Sequence, residues 1–228
     1  MTRGILIAGN ESTLSAAIEA EAARRVEHFA YAPVPNRFAS AGTFSAEGGI
    51  PKEGLARLPF SWNPGSPISA RTLMIAAENR LEHIDEAILV CAPPPVRRPA
   101  ADLSAADIEI MLNDQIKGWF FLVKELALAF RAKKSGTLAL VFSDIGSGGG
   151  KDDAPDLLGA AAFASFRAFA QGLLSAAFNE PYLTLGFSSS SAGDEADFAS
   201  FIFKILDEGS RKNNGKWHKY GKLNLFNR

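Results

Sequence analysis

The sequence has a single cysteine, Cys91, so no disulfide can form within the chain. A chain so poor in cysteine is expected in the reducing cytoplasm. Basic residues are not in surplus. The 24 Lys and Arg stand against 25 Asp and Glu, for a formal net charge of −1. Nothing therefore favours nucleic acid or an anionic membrane as a partner, since both need a positive surface. Local basic pairs such as Arg24-Arg25 and Lys133-Lys134 are short and read as solvated helix ends. No unbroken apolar run reaches the roughly 18 residues expected of a membrane span. The opening run from Ile5 to Ala8 is too short for the core of a signal peptide. The three histidines, His28, His83 and His218, lie far apart and lack ligand spacing, so no metal site is expected. Tyrosine is equally scarce, with only Tyr31, Tyr182 and Tyr220.

What is present is a chain of 228 residues, 47% hydrophobic and 21% charged, enough to bury the core of one domain spanning 1–228. Short apolar runs alternate with segments of helical period. The runs Ile5 to Ala8, Val26 to Ala32, Leu55 to Trp62, Glu86 to Cys91, Gly136 to Ser143, Leu183 to Ser188 and Lys222 to Phe226 read as strands. Helices are expected over Thr13 to Arg25, Ser69 to Leu81, Ser104 to about Ala132, Leu157 to Phe178 and Asp194 to Glu208. Ser104 with Asp107 three residues on resembles a capping box. The Gly, Pro, Ala and Ser-rich stretch from Pro33 to Gly54 is read as loop. Strands that are apolar throughout, alternating with helices, predict an α/β fold with a parallel sheet covered on both faces. Ligands bind such sheets at the carboxyl ends of the strands. The loops after Ala8, Trp62, Cys91, Ser143 and Ser188 are therefore the ones that matter.

Several of these loops carry fragments of a known pattern. Ala8-Gly9-Asn10-Glu11-Ser12-Thr13-Leu14-Ser15 stands where T-G-x-x-x-G-I-G would, with only the first glycine kept. Cys91-Ala92-Pro93-Pro94 stands for N-N-A-G, and Gln115-Ile116-Lys117-Gly118 for N-x-x-G. Phe142-Ser143 keeps the second of two serines. Phe163-Ala164-Ser165-Phe166-Arg167 takes the place of Y-x-x-x-K, and Ser188-Ser189 that of P-G. Asn214-Gly215-Lys216-Trp217 resembles a T-G-x-x stretch that precedes a last strand. Taken in order over the whole chain, these segments resemble the short-chain dehydrogenase/reductase family. The resemblance implies a Rossmann-like, doubly wound parallel sheet in three α/β/α layers. It implies catalytic positions at Ser143, Phe163, Arg167 and Gln115. It also implies NAD or NADP contacts at Gly9, Asn10, Ser12, Thr13, Leu14, Arg37, Asn63, Cys91, Ala92, Arg167 and Ser188.

The residues at those positions change the expected chemistry. In the family a tyrosine exchanges a proton with the substrate oxygen, and a lysine lowers its pKa and holds the nicotinamide ribose. Phe163 has no ionisable hydrogen and cannot be a general acid or base. Arg167 is permanently charged and still suits a ribose or phosphate. Thr13 and Ser15 replace two glycines that would let backbone approach a pyrophosphate, and Glu11 adds negative charge there. The hydroxyls of Ser12, Thr13 and Ser15 either compensate or cap the helix. No clear acid ends the second strand, whereas Arg37 would suit a 2′-phosphate and so NADP over NAD. Asn63 stands near an adenine-contacting position of the family.

Ile145-Gly146-Ser147-Gly148-Gly149-Gly150-Lys151-Asp152 fails the spacing of a phosphate-binding P-loop. Asp152, Asp153 and Asp156 read as a solvated acidic loop, and Cys91 as a small buried hydrophobe. The helices over about 104–132 and 157–178 are apolar over much of their circumference. By the same resemblance they would form a homodimer or homotetramer. Three functions stay open. The first is a catalytically impaired binding or assembly subunit, and the second an NAD(P)-dependent oxidoreductase with an atypical proton donor. The third is a binder of another nucleotide or anion at the strand ends, anchored by Arg167.

Overall fold

The computed structural model describes residues 3–25, 28–38, 62–143, 155–190 and 193–221. The apolar runs pair into one parallel sheet built from β1 (Gly4–Asn10), β2 (His28–Val34), β3 (Glu86–Cys91), β4 (Thr137–Ser143), β5 (Leu183–Ser189) and β6 (Trp217–Tyr220). Their order across the sheet is β2-β1-β3-β4-β5-β6. The chain thus leaves β1 first to one side and then to the other. That reversal makes a crevice at the carboxyl ends of β1 and β3.

Alternation along each strand feeds two cores. Leu6, Ala8, Leu89, Leu140 and Phe142 face a layer formed by α2 (Pro67–Leu81), α4 (Gly118–Lys133) and α5 (Leu157–Ala176). Ile5, Ile7, Ile88, Val141 and Phe187 face α1 (Thr13–Arg24) and α6 (Glu195–Glu208). The expected α/β/α layering is therefore present. Helix starts follow local chemistry. Ser12 caps α1 by accepting from the Ser15 amide at 3.1 Å. Pro67 opens α2 behind Ser66. Ser104 and Asp107 close a full capping box on α3 (Ala105–Leu112).

Several elements differ from the sequence expectation. The expected start of the second strand at 26–27 lies outside the described residues, and β2 runs past the expected end at Ala32 through Pro33 to Val34. As a strand near the sheet edge it tolerates a proline. The rest of the expected 33–54 loop beyond Phe38, and the expected strand over 55–61, lie outside the described residues; Trp62 is buried but not in a strand. The expected strand at 222–226 also lies outside them. A strand instead forms at Trp217–Tyr220, whose His and Lys hide it from any search for apolar runs.

The long helix expected over 104–132 is interrupted. Between α3 and α4 the five residues Asn113–Lys117 form a π turn. The segment before α2 crowds the helix here. A Cβ on Gly118 would lie 2.5 Å from the Cβ of Pro64, and one on Gly65 would lie 3.0 Å from that of Asn113. A π turn absorbs one extra residue where such packing fixes both ends.

Helix α5 with the single turn that follows it, Leu157–Asn179, is long and apolar enough to cross a membrane by length and composition alone. Arg167 interrupts the run, which is why a search for unbroken apolar stretches passes over it. In the structure Ala162, Phe166, Ala170 and Leu174 are buried, and Phe166 and Ala170 belong to the core under the sheet.

On the opposite face, charge ties α1 to α6. The Glu21 carboxylate accepts from Arg24 at 2.7 and 2.8 Å and from Arg25 at 2.8 Å. Arg25 pairs in turn with Asp207 and lies 5.1 Å over the Phe203 ring. The hydrogen bond from Arg24 is the main force holding the Glu21 carboxyl at about 2, below its ordinary 4.5, against the opposing effect of burial. Because this pKa is depressed on folding, the contribution is complete above pH 4.5 and fades as pH falls toward 2. Glu21→Gln should cost about 1 kcal/mol at pH 7. It should also flatten the acid limb of the stability curve between pH 4.5 and 2, as read by urea unfolding across pH.

Candidate functional site

The carboxyl ends of the strands gather most of the sequence-picked residues, in three groups. The first surrounds β1. Gly9 is fixed by its neighbour, because a Cβ there would lie 2.6 Å from the Val90 carbonyl oxygen and 2.8 Å from the Val90 Cβ. The one glycine kept in the loop is thus required by strand packing, whatever else the loop does. Buried Asn10 accepts from the Ala92 amide at 3.3 Å, which links two of the predicted residues. Its Nδ2 has no partner among the described residues. The loop hydroxyls bond within the protein: Ser15 donates to the Asn10 carbonyl at 2.6 Å, Ser12 caps α1, and Thr13 reaches Glu195 at 3.4 Å. Leu14 and Cys91 are core side chains, and burial pushes the Cys91 thiol far up in pKa.

The second group lies past β2 and in the π turn. Arg37 donates to Asn63 Oδ1 at 3.2 Å and places its Nε 3.3 Å from an Asp114 oxygen. Asp114 and Gln115 are each only 1% exposed. Neither Asp114 oxygen, nor Gln115 Oε1, has a hydrogen-bond partner among the described residues. Burial drives the Asp114 carboxyl above its ordinary range, and Arg37 pulls it back only in part. The sequence pattern offered no sign of Asp114, since its burial follows from the π turn. An arginine already facing a carboxylate is less available to a 2′-phosphate.

The third group is built around α5. Phe163 meets the Phe142 ring edge to face, with centroids 5.0 Å apart. Phe142 also contacts Trp217 at 5.3 Å and Phe166 at 6.5 Å. Trp217 in turn lies against β5 where Gly186 leaves room; a Cβ there would lie 2.3 Å from the indole. Next to these rings is a cavity of about 370 Å³. Arg167 and Ser188, both expected in the site, line it together with Ser190, Trp217 and Lys219. Strand register explains the grouping. Phe142, Ser188 and Lys219 are neighbours across β4, β5 and β6, and Phe142 faces α5, so all three share the face from which Arg167 approaches. Ser143 belongs to the next row, with Ser189 and Tyr220. Lys219 is unmarked in the sequence because its strand has no apolar signature, and Trp217 is marked only as the end of the 214–217 segment.

The three tyrosines are distributed apart. Tyr31 is buried and donates to the Gly9 carbonyl at 3.2 Å. Tyr182 packs on Phe130 just before β5, at the opposite end of that strand from Ser189. Tyr220 alone lines the Arg167 cavity. Its ring stacks on Phe198 of α6, and burial with Asp197 and Asp194 raises its phenol pKa.

No protein-family model matches the chain, and no curated protein sequence matches it. Solved structures do. NADH-dependent reductase A1-R′, solved with NAD, superposes with a TM-score of 0.71 at 14% identity, over 96% of this chain and 95% of that one. A short chain dehydrogenase from Bacillus anthracis gives 0.69 at 13% identity, over 96% and 94%. A putative oxidoreductase from Escherichia coli K-12 gives 0.66 at 14% identity, again over 96% and 94%. The chain has the short-chain dehydrogenase/reductase fold. Within that fold the groups around Asn10, Arg37 and Arg167 all lie at the edge where α/β sheets take ligands. At 13–14% identity the likeness extends to the fold alone, so side-chain chemistry has to be read from this chain's own residues.

Gly9→Ala should lower stability by about 1–3 kcal/mol in denaturant unfolding with no ligand present, because its Cβ meets Val90 backbone. A neutral result would remove the packing explanation for that glycine. Asp114→Asn should behave differently. A carboxyl whose pKa is raised on folding costs stability as pH climbs through its titration. At pH 7 the variant should be unchanged or more stable by up to about 1 kcal/mol, since partly exposed Arg37 can turn to solvent. A loss of about 2 kcal/mol or more would mean that the ion pair outweighs the burial penalty.

Proposed function

We propose that this protein is a dehydrogenase-fold binding or assembly subunit of the cytoplasm that has lost the family's alcohol–ketone chemistry. The observation that carries this reading is the Phe142–Phe163 contact. By the resemblance, both rings stand where hydroxyls belong, one from the serine pair and one from the proton-exchanging tyrosine. The two replacements satisfy each other: an edge-to-face pair is worth about 0.5–1.5 kcal/mol beyond its area. A polar catalytic corner has become a packed one. Loss of a positioned proton donor alone costs about 10²–10⁴ in rate. The first loop supports the same reading, since its hydroxyls are committed to Asn10, to the α1 cap and to Glu195.

Assembly is the second half of the proposal. Phe120, Leu128 and Phe178 are 51%, 53% and 74% exposed, on α4 and just past α5. Phe120 pairs with Phe169 at 4.2 Å, so the exposed apolar surface runs from one helix to the other. A second copy of this chain would cover it, giving a homodimer or homotetramer.

The competing reading is an oxidoreductase with an atypical donor, and Tyr220 is its one candidate beside Arg167. Its environment counts against it. A tyrosine that works as a base needs a lowered pKa, whereas burial, with Asp197 and Asp194, pushes this one up.

Fluorescence titration with NADH and NADPH, combined with light scattering, tests the proposal. The expected result is no saturation below about 100 μM and a dimer or tetramer. Phe120→Glu with Leu128→Glu should then weaken self-association by about tenfold or more. Micromolar binding of either dinucleotide, with turnover abolished by Tyr220→Phe, would establish the oxidoreductase instead.

A further inference from the structure

The cavity beside α5 holds two cations. Arg167 enters from the helix and Lys219 from β6, and both line the same space of about 370 Å³. No carboxylate among the described residues pairs with either one. Elsewhere the fold pairs its cations readily: Arg98 with Asp107, Arg131 with Glu180, and Lys133 with Asp85. The register row makes the arrangement deliberate in geometry, since Lys219 lies directly beside Ser188 on the face toward Arg167. Serine hydroxyls from Ser188 and Ser190 add neutral donors at the rim. Trp217 and Phe142, edge to face at 5.3 Å, supply an apolar wall.

We infer that this cavity binds a small organic dianion, a phosphate ester or a dicarboxylate. Its charged group lies between Arg167 and Lys219, and its carbon body lies on Trp217. The guanidinium fork matches two oxygens of either group, and the ammonium adds a point charge. The size falls at the low end of the roughly 300–1,000 Å³ typical of organic ligand sites, which suits a compact molecule rather than a dinucleotide. Lys219 comes from the strand that the sequence left unmarked, so the site is a property of this chain's own residues. It rests on the cavity alone and stands whether or not NADH binds.

Calorimetric titration with inorganic phosphate, phenyl phosphate and succinate, each matched in ionic strength with sodium chloride, tests it. Saturable binding is expected for phenyl phosphate, tighter than for inorganic phosphate because of the Trp217 wall. Arg167→Gln and Lys219→Gln should each weaken it by about tenfold or more. Both side chains are exposed and carry no described ion pair, so neither variant should lower the melting temperature. Preference for phenyl phosphate assigns the phosphate ester, and preference for succinate the dicarboxylate. Affinity that is unchanged in both variants, or heat that sodium chloride reproduces, overturns the inference.

Discussion

The Phe142 ring touches Phe163, Phe166 and Trp217, and through them it joins β4 to α5 and to β6. Those are the elements that frame the Arg167 cavity. A side chain that ends a strand in this way sets how far the neighbouring helix stands from the sheet, because protein interiors pack to crystal-like density. A ring at this point therefore acts on more than its immediate neighbour. It fills the corner between β4, α5 and β6. It leaves the next turn of α5, with Arg167, facing the open end of β5 and β6.

Polar groups at the sheet edge divide along similar lines. Around β1 they are mostly consumed internally, Asn10 Oδ1 by the Ala92 amide, Ser15 by the Asn10 carbonyl and Ser12 by the helix cap, while Asn10 Nδ2 has no partner among the described residues. At the π turn they are buried and underused, with Asp114 and Gln115 short of partners among the described residues. Around α5 they are exposed and positive. An incoming dinucleotide needs the first region open. A compact anion needs only the third. On the inference drawn above, cations without a carboxylate partner among the described residues, beside an apolar wall, would gain from a compact anion at no cost in broken internal bonds.

Most of the fold was legible in the sequence because buried parallel strands write themselves as apolar runs. Ile5 to Ala8, Glu86 to Cys91 and Leu183 to Ser188 fall inside observed strands or match them. Capping chemistry placed α3 through Ser104 and Asp107. Edge elements were harder. β6 is half-exposed, so Trp217, His218, Lys219 and Tyr220 alternate between faces without an apolar run. The π turn was invisible because its cause, Pro64 against Gly118, is a contact between segments 54 positions apart. Motif spacing located Arg167 and Ser188, which the structure brings into one cavity. It could not supply Lys219 or Asp114, whose roles come from strand register and burial.

Phenylalanine at position 163 has no proton to exchange, so proton transfer near it would need another group. Proton transfer needs an ionisable group within hydrogen-bond reach of the reacting oxygen. Tyr31 spends its hydroxyl on the Gly9 carbonyl, and Tyr182 is buried just ahead of β5. Tyr220 shares a strand row with Ser143 and Ser189, yet its ring leans on Phe198 and Phe201 of α6. Arg167 approaches from the α5 side, across the sheet. Burial, Asp197 and Asp194 raise the Tyr220 phenol pKa, which opposes the ionisation that a proton-exchanging tyrosine needs. Tyr220 and Arg167 thus reach the same cavity from opposite faces of the sheet, and the surroundings of the phenol favour its neutral form.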